Sequence, residues 1–132
     1  MAKKILVVDD EPEIVFTVSV LLKAKGYEVI TAENGAQAKQ QTIETKPDLI
    51  ILDISMPEGD GHSVCQWLRS SEQTSKIPVL MLTARDSIKD MKQAIEERAS
   101  AYMTKPYQPK DLLKKIKELL EVKELIEKGS QA

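Results

Sequence analysis

The sequence predicts an α/β fold in which a five-stranded parallel sheet is covered by helices on both faces. Short apolar runs alternate five times with stretches of helical length along the 132 residues. Several of the apolar runs end at a charged or hydroxyl residue. No internal repeat, low-complexity tract or linker interrupts this alternation before the last helix. These observations together favour a single α/β domain.

The first half of the chain contains three predicted strands and two predicted helices. The apolar run that ends at Asp9 and Asp10 is typical of a fully buried strand. Glu11 and Pro12 open a helix, since acids and proline are favoured in a first turn, and Gly26 ends it. The predicted strands are 5–8, 27–32 and 49–52, and an exposed helix covers 36–45.

The second half repeats the pattern and ends in a long helix. The predicted helices are 62–71, 86–97 with Asp86 or Ser87 as its cap, and 109–128 with Gly129 as its stop, and the predicted strands are 79–82 and 99–104. The last helix carries an apolar stripe expected to pack on the sheet, formed by Leu112, Leu113, Ile116, Leu119 and Leu120. Val122, Leu125 and Ile126 continue this stripe beyond residue 121.

Composition excludes several functional classes. Hydrophobic residues make up 42% and charged residues 30%, which is the profile of a soluble globular protein. The net charge of −2, with no isolated basic segment, gives no indication of nucleic-acid binding. Cys65 is the only cysteine, so an internal disulfide is impossible. The first apolar run is too short for a signal peptide and no run could span a bilayer, so a cytoplasmic protein is expected.

Charged and hydroxyl residues at the strand ends predict a binding crevice. Asp9 and Asp10 follow the first strand, Asp53 the third, Thr83 the fourth and Lys105 the fifth. Ligands bind beyond the carboxyl ends of parallel strands, so these side chains are expected to meet there. Clustered carboxylates call for a cation, and oxygen ligands suit Mg²⁺. Each residue alone could be a helix cap or a solvated charge, but together they fit phosphoryl transfer.

Four segments of the chain, over about residues 3–121, resemble the receiver domain of two-component response regulators. The matching segments are 5–11, 47–57 with Asp60 and Gly61, 78–84 and 102–107. This resemblance implies a flavodoxin-like sheet of order 2-1-3-4-5, as in the chemotaxis regulator of the family. In that order strands one and three are neighbours, which would bring Asp9 and Asp10 beside Asp53.

The resemblance implies a phosphoacceptor and a metal site. Asp53 would attack the phosphorus of a histidine kinase's phosphohistidine. Asp10, Asp53 and the backbone carbonyl of Ser55 would bind Mg²⁺, and Asp9 would contribute through a metal-bound water. The chain would then be a signalling protein rather than an enzyme, since it would catalyse only its own phosphorylation and dephosphorylation.

The resemblance also implies a conformational switch. Thr83 and Lys105 would contact the phosphoryl oxygens, and a cis peptide bond between Lys105 and Pro106 would aim the lysine into the crevice. Tyr102 would be the aromatic switch residue, which turns inward when the Thr83 hydroxyl moves. The surface formed by the fourth helix, the fifth strand and the fifth helix would thereby change shape.

A few positions differ from the family pattern or vary within it. Arg98 replaces a usual glycine, so a different loop is expected there because arginine adopts a left-handed conformation poorly. Ser55 and Arg85 occupy the two positions that tune the phosphoryl lifetime in the family. Arg85 would either reach the crevice as an extra cation or remain a solvated surface residue. His62, the only histidine, is expected on the surface.

Partners and domain limits follow from the same resemblance. Residues 1–121 would form the receiver domain and 122–132 a helical extension or tail. The upstream partner would be a sensor histidine kinase or phosphotransfer protein, and the downstream partner a protein target or an output domain. The extra apolar residues of the tail would suit a linker or a phosphorylation-dependent homodimer, although Lys123 in the seam weakens a coiled coil.

Three rival hypotheses are less consistent with the residues. An aspartate-nucleophile phosphatase of the haloacid-dehalogenase type would need a second aspartate where Ser55 lies. A flavodoxin-like electron carrier would need a glycine- and hydroxyl-rich phosphate loop, whereas Asp9, Asp10 and Glu11 would repel a flavin phosphate. A degenerate receiver used only for docking would lack site residues, but every expected one is present.

Overall fold

A five-stranded parallel sheet lies at the centre of the computed structural model, which describes residues 2–56 and 61–131, with side chains through residue 129. The strands are β1 (Lys4–Val8), β2 (Glu28–Ala32), β3 (Leu49–Leu52), β4 (Val79–Thr83) and β5 (Ala101–Thr104). The helices are α1 (Pro12–Ala24), α2 (Gly35–Thr45), α3 (Gly61–Arg69), α4 (Ile88–Glu96) and α5 (Pro109–Gln131). The predicted loop residues Pro57, Glu58, Gly59 and Asp60 lie outside the described part.

The strand order is β2-β1-β3-β4-β5, so the predicted fold class is confirmed. In register, Val8 pairs with Ala32 on one side and with Leu52 on the other. Leu52 pairs with Met81, so β1, β3 and β4 end at the same edge of the sheet. The residues that follow these strands are therefore brought together.

Two apolar cores cover the two faces of the sheet. Alternate residues of each central strand enter opposite cores, as expected for extended backbone; Ile50 and Ile51 are an example. Helices α1 and α5 cover one face, where the stripe of α5 packs as predicted. Helices α2, α3 and α4 contribute buried residues to the other face.

Several element boundaries differ from the predicted ones by one or two residues. Ser87 is the N-cap of α4, since its side chain accepts a hydrogen bond from the Asp90 amide. The helix therefore begins at Ile88 rather than at residue 86. The fifth strand begins at Ala101 rather than at Ala99, because the Ala99 amide still donates to the Ala94 carbonyl at the end of α4. Gly26 ends α1 with a φ of 87°, as predicted.

The last helix is longer than predicted, and Gly129 does not stop it. A glycine inside a helix costs only about 1 kcal/mol relative to alanine, so a single one does not force an end. Val122, Leu125 and Ile126 are 52%, 68% and 58% exposed, so they do not join the core. In the described part of the chain no helix has the length and apolar character to cross a membrane.

The loop after α4 keeps a left-handed residue although arginine stands there. Arg98 has a φ of 62°, so the prediction of a different loop conformation at this position is wrong. Hydrogen bonds hold it: the Arg98 amide donates to the Ile95 carbonyl, and the Arg98 carbonyl accepts from Arg69 Nε and Nη2. These bonds offset the steric cost of the conformation.

Candidate functional site

An acidic crevice lies at the carboxyl edge of the sheet, formed by Asp9, Asp10, Glu11, Asp53 and Lys105. One carboxylate oxygen of each of the four acids lies within 4.8 Å of those of the others. Asp9 and Asp53 are buried at 3% and 1% exposure, whereas Asp10 and Glu11 are exposed. Two buried carboxylates beside two accessible ones make a site that is closed at its base and open to solvent.

Lys105 supplies the positive charge of the acidic crevice. Its Nζ lies 2.7 Å from Asp9 Oδ2, 3.2 Å from Glu11 Oε1 and 3.3 Å from Asp53 Oδ2. The peptide bond between Lys105 and Pro106 is cis. Burial alone would lower the pKa of Lys105, but Asp9 and Asp53 raise it above its usual value. The ammonium is therefore charged at neutral pH.

Asp53 is held as an ionised, oriented carboxylate. The Ser55 amide and hydroxyl both donate to Asp53 Oδ1, at 2.9 and 2.7 Å. Burial works to raise the pKa of Asp53, but these two bonds, the Lys105 charge and a hydrogen bond with Thr83 lower it below its usual value. One oxygen is thus tied to Ser55, while Oδ2 faces Lys105.

The pKa of Asp9 shifts in the opposite direction from that of Asp53. Burial raises the pKa of Asp9 above its usual value, despite hydrogen bonds from Lys105 and from the Glu11 amide. The proximity of Asp53 raises the pKa of Asp9 further. The crevice therefore has negative charge in excess of what one lysine compensates, and its carboxylate donors fit a hard divalent cation.

A chain of contacts leads from the crevice to Tyr102. Thr83 is fully buried, and its Oγ1 accepts a hydrogen bond from the Arg85 amide at 3.2 Å. The Tyr102 hydroxyl donates to the Arg85 carbonyl at 2.6 Å. The Arg85 side chain is half exposed and lies 3.5 Å from Asp90, so it pairs at the surface instead of entering the crevice.

Glu11 is a member of the crevice that the sequence analysis did not assign to it. Its carboxylate contacts Lys105, whereas the sequence predicted that it opens the first helix and gave it no role in binding metal or phosphoryl oxygens. The signal was its position directly after Asp9 and Asp10, at the end of the first strand. Glu11 therefore both lines the crevice and directly precedes the first turn of α1.

His62 is buried, so the prediction that it lies on the surface is wrong. It is 4% exposed, and its Nδ1 hydrogen-bonds Glu97 Oε1, while its Nε2 lies 3.7 Å from Asp90 Oδ1. Gln66 Nε2 donates to the other Glu97 oxygen at 2.7 Å. We call His62, Gln66, Asp90 and Glu97 the His62 cluster. The burial of His62 could have been inferred from the helical repeat, since His62 precedes the buried Cys65 by three residues and lies on the same face of α3.

Comparison with known proteins gives one consistent family. The sequence-family model of the response regulator receiver domain matches residues 5–117. The alkaline phosphatase synthesis transcriptional regulatory protein PhoP of Bacillus subtilis is 43% identical, over 99% of this chain and 54% of that protein. The DNA-binding dual master transcriptional regulator RpaA of Synechocystis is 42% identical, over 89% and 48%. The chain thus spans about half the length of these relatives.

A solved structure agrees with the sequence matches. The chemotaxis protein CheY4 of Vibrio cholerae superposes with a TM-score of 0.86 at 33% identity. The match covers 90% of this chain and 99% of that one. The likeness therefore covers most of this chain and nearly all of the other one.

Proposed function

Because the chain belongs to the response regulator receiver domain family, we propose that it is a phosphorylation-dependent switch of a two-component system and that Asp53 is its phosphoacceptor. The observation that carries this proposal is the state of Asp53, a buried carboxylate with a lowered pKa and one oxygen directed at Lys105. Members of this family are regulators rather than enzymes, and the proposed chemistry is confined to the protein's own aspartate.

The proposed reaction is transfer of a phosphoryl group from the phosphohistidine of a kinase or phosphotransfer protein. An Asp53 oxygen forms a bond to phosphorus while the phosphorus–nitrogen bond breaks, and the electron pair returns to the imidazole. Lys105 and Thr83 would contact the phosphoryl oxygens, since both already lie beside Asp53. The Ser55 bonds orient the nucleophile. Hydrolysis of the acyl phosphate would return the free aspartate.

Asp10, Asp53 and the backbone carbonyl of Ser55 are the proposed ligands of Mg²⁺, with Asp9 contributing through a bound water. The exposed Asp10 and buried Asp9 and Asp53 belong to the cluster whose donor set fits such an ion. When bound, the ion would neutralise charge on the phosphoryl oxygens and the carboxylates. Ser55 and Arg85 are proposed to tune how long the phosphoryl group survives.

The proposed switch uses the contacts that link Thr83 to Tyr102. Movement of the Thr83 hydroxyl toward a phosphoryl group would break its bond with the Arg85 amide. The Arg85 carbonyl is the acceptor of the Tyr102 hydroxyl, so the same backbone segment would release the ring. The surface of α4, β5 and α5 would then present a different shape to a partner.

We also propose partners and domain limits for this chain, from its membership of the family. The kinase or phosphotransfer protein lies upstream, and a protein target or output domain lies downstream. PhoP and RpaA are transcriptional regulators by name, so residues 1–121 would be the regulatory part, and the helical tail from 122 would lead to a partner or to a second copy. This chain itself would not contact nucleic acid or membrane, and its setting would be the cytoplasm.

Intact mass after incubation with Mg²⁺ and acetyl phosphate tests the phosphoacceptor. We expect one phosphate-sized increase in the unaltered chain and in Asp111→Asn, which changes an exposed aspartate of α5. Asp53→Asn should show none, because the amide oxygen is not a nucleophile of comparable strength.

Absence of the adduct with small donors and with a phosphorylated kinase domain would overturn the proposal. An adduct that persists in Asp53→Asn would move the site to another residue. Omission of Mg²⁺ should slow the reaction in the unaltered chain, and an equal rate without the ion would remove the metal from the proposal.

A further inference from the structure

A groove of about 960 Å³ runs between α3 and α4, apart from the acidic crevice. None of the five crevice residues lines it. Its walls are the second half of α3 and the length of α4, and its end is the left-handed turn at Arg98. The proposed phosphorylation does not use this groove.

The groove is positively charged, although the chain as a whole carries a net charge of −2. Among the described residues, four cationic side chains line it, namely Arg69, Lys89, Lys92 and Arg98. Two acids line it as well, but Glu97 is 8% exposed and its carboxylate oxygens are bonded to His62 and Gln66. Glu96 is left as the exposed acid of the lining. The groove therefore favours an anionic ligand.

Two guanidinium groups at the end of the groove donate, among the described residues, only to neutral carbonyls. Arg69 donates four hydrogen bonds, two to the Arg98 carbonyl and one each to the carbonyls of Ser75 and Ile77. Arg98 donates to the Arg69 carbonyl. Neither guanidinium lies in an ion pair with a carboxylate in the described part of the chain. Two like charges are thus held side by side, uncompensated.

Burial and the neighbouring charge of Arg98 lower the pKa of Arg69, which is the electrostatic consequence of this arrangement. An arginine presents five donors and its planar group matches a carboxylate with two parallel bonds. The exposed Arg98 guanidinium has donors to spare, while Arg69 is anchored. Lys89 and Lys92 precede Arg98 by nine and six residues, and neither forms an ion pair among the described residues.

We propose that the groove between α3 and α4 binds a short acidic peptide segment of a protein partner, whose carboxylates contact Arg98 and Lys92. The cations from Lys89 to Arg98 extend over roughly 14 Å at the helical rise, about the length of four or five extended residues. Ile88 lines the same groove and is 74% exposed, so it offers an apolar contact that a peptide side chain can cover. An inorganic anion would use only the charges.

Fluorescence anisotropy with a labelled ten-residue peptide of glutamates and two leucines tests this proposal on the full chain. Arg98→Gly is the informative variant, because it removes the cation while glycine suits the φ of 62°. We expect Arg98→Gly and Lys92→Glu each to weaken binding at least tenfold. Lys25→Glu reverses an exposed charge at the end of α1, outside the groove, and should change binding less than twofold.

Several outcomes would overturn the proposal. They are no binding of the peptide to the unaltered chain, unchanged binding in Arg98→Gly, or an equal loss in Lys25→Glu, which would indicate a bulk charge effect. Inorganic phosphate that competes as well as the peptide would make the groove a simple anion site, and a DNA duplex that binds more tightly would make it a nucleic-acid surface. Asp53→Asn should bind the peptide normally, so failure of the phosphorylation proposal is distinguishable.

Discussion

The acidic crevice buries Asp9 and Asp53 and the His62 cluster buries Glu97, but the two regions compensate the buried charge differently. In the crevice, Lys105 contacts three carboxylates and exposed acids leave the site open to a further cation. In the cluster, Glu97 is paired with one histidine and one amide inside a helix–helix contact. An open site can exchange partners, whereas a closed one can only hold its two helices together.

Replacing Lys105 should have the largest effect on stability. Lys105→Met leaves Asp9 and Asp53 buried without their cation, and we expect a loss of about 2–4 kcal/mol of unfolding free energy in a chelator. Mg²⁺ should restore part of it, because an ion that binds only the folded state stabilises it. Urea unfolding with and without Mg²⁺ measures both quantities.

Lys115→Met is the matched control, since it removes a lysine from an exposed pair with Glu118. Its loss should be about 0–1 kcal/mol and independent of Mg²⁺. If Mg²⁺ does not stabilise Lys105→Met more than it stabilises the control, the crevice is not the exchangeable site described above.

The contribution of the His62 cluster to stability should not depend on Mg²⁺. His62→Phe keeps an aromatic ring but removes one of the two donors that the described residues offer to the Glu97 carboxylate, so we expect a loss of about 2–3 kcal/mol. The same loss should appear with and without Mg²⁺ in urea unfolding. A loss that Mg²⁺ reverses would contradict the contrast between a closed and an open site.

Gly61 connects the two regions, because it precedes His62 and lies against the backbone of Asp53, the proposed phosphoacceptor. A Cβ at Gly61 would lie 2.5 Å from the Asp53 carbonyl oxygen and 2.7 Å from Ile54 Cα. Gly61→Ala should therefore cost about 1–3 kcal/mol and slow phosphorylation of Asp53, since the backbone must shift. Stopped-flow phosphorylation and thermal unfolding measure the two effects.

Gly129→Ala provides the opposite expectation for the same chemical change. Gly129 lies inside α5 and a Cβ there would meet nothing within 4 Å. Alanine should stabilise the helix by up to about 1 kcal/mol and leave phosphorylation unchanged. A Gly61→Ala protein with the stability and rate of Gly129→Ala would show that the close approach has no consequence.

A smaller loss of stability than in Lys105→Met or His62→Phe is expected at Ser87, beside the cluster. Its hydroxyl caps α4 and donates to Asp90 Oδ2, and Ser87→Ala should cost about 1 kcal/mol at neutral pH. That bond, ahead of the Arg85 charge, lowers the pKa of Asp90 below 3.8. The carboxylate's share of stability is therefore present above pH 3.8 and lost as pH falls through the folded-state pKa.

Urea unfolding of Ser87→Ala and the unaltered chain at pH 7 and pH 3 checks this sign. The difference between the two should shrink at the lower pH, because the stabilisation of the Asp90 carboxylate by the hydroxyl is lost as that carboxylate becomes protonated. A difference that grows on acidification would mean that Ser87 acts on another group.

The crevice was predictable because of the strand pattern. Runs such as 49–52 are short and wholly apolar, so Asp53 had to follow a buried strand, and parallel strands place their carboxyl ends at one edge. The fold class and the positions of Asp9, Asp10, Thr83 and Lys105 followed from that geometry. The role of each residue came from the resemblance to a family rather than from the pattern.

Other features were decided only by the tertiary structure. His62 and Glu97 are 35 residues apart, and which side chains meet between α3 and α4 depends on how the two helices are placed against each other on the sheet. Arg98 adopts its left-handed conformation because Arg69 and the end of α4 hold its backbone, against its local preference. Strand ends converge by topology, whereas helix–helix contacts require the packed arrangement itself.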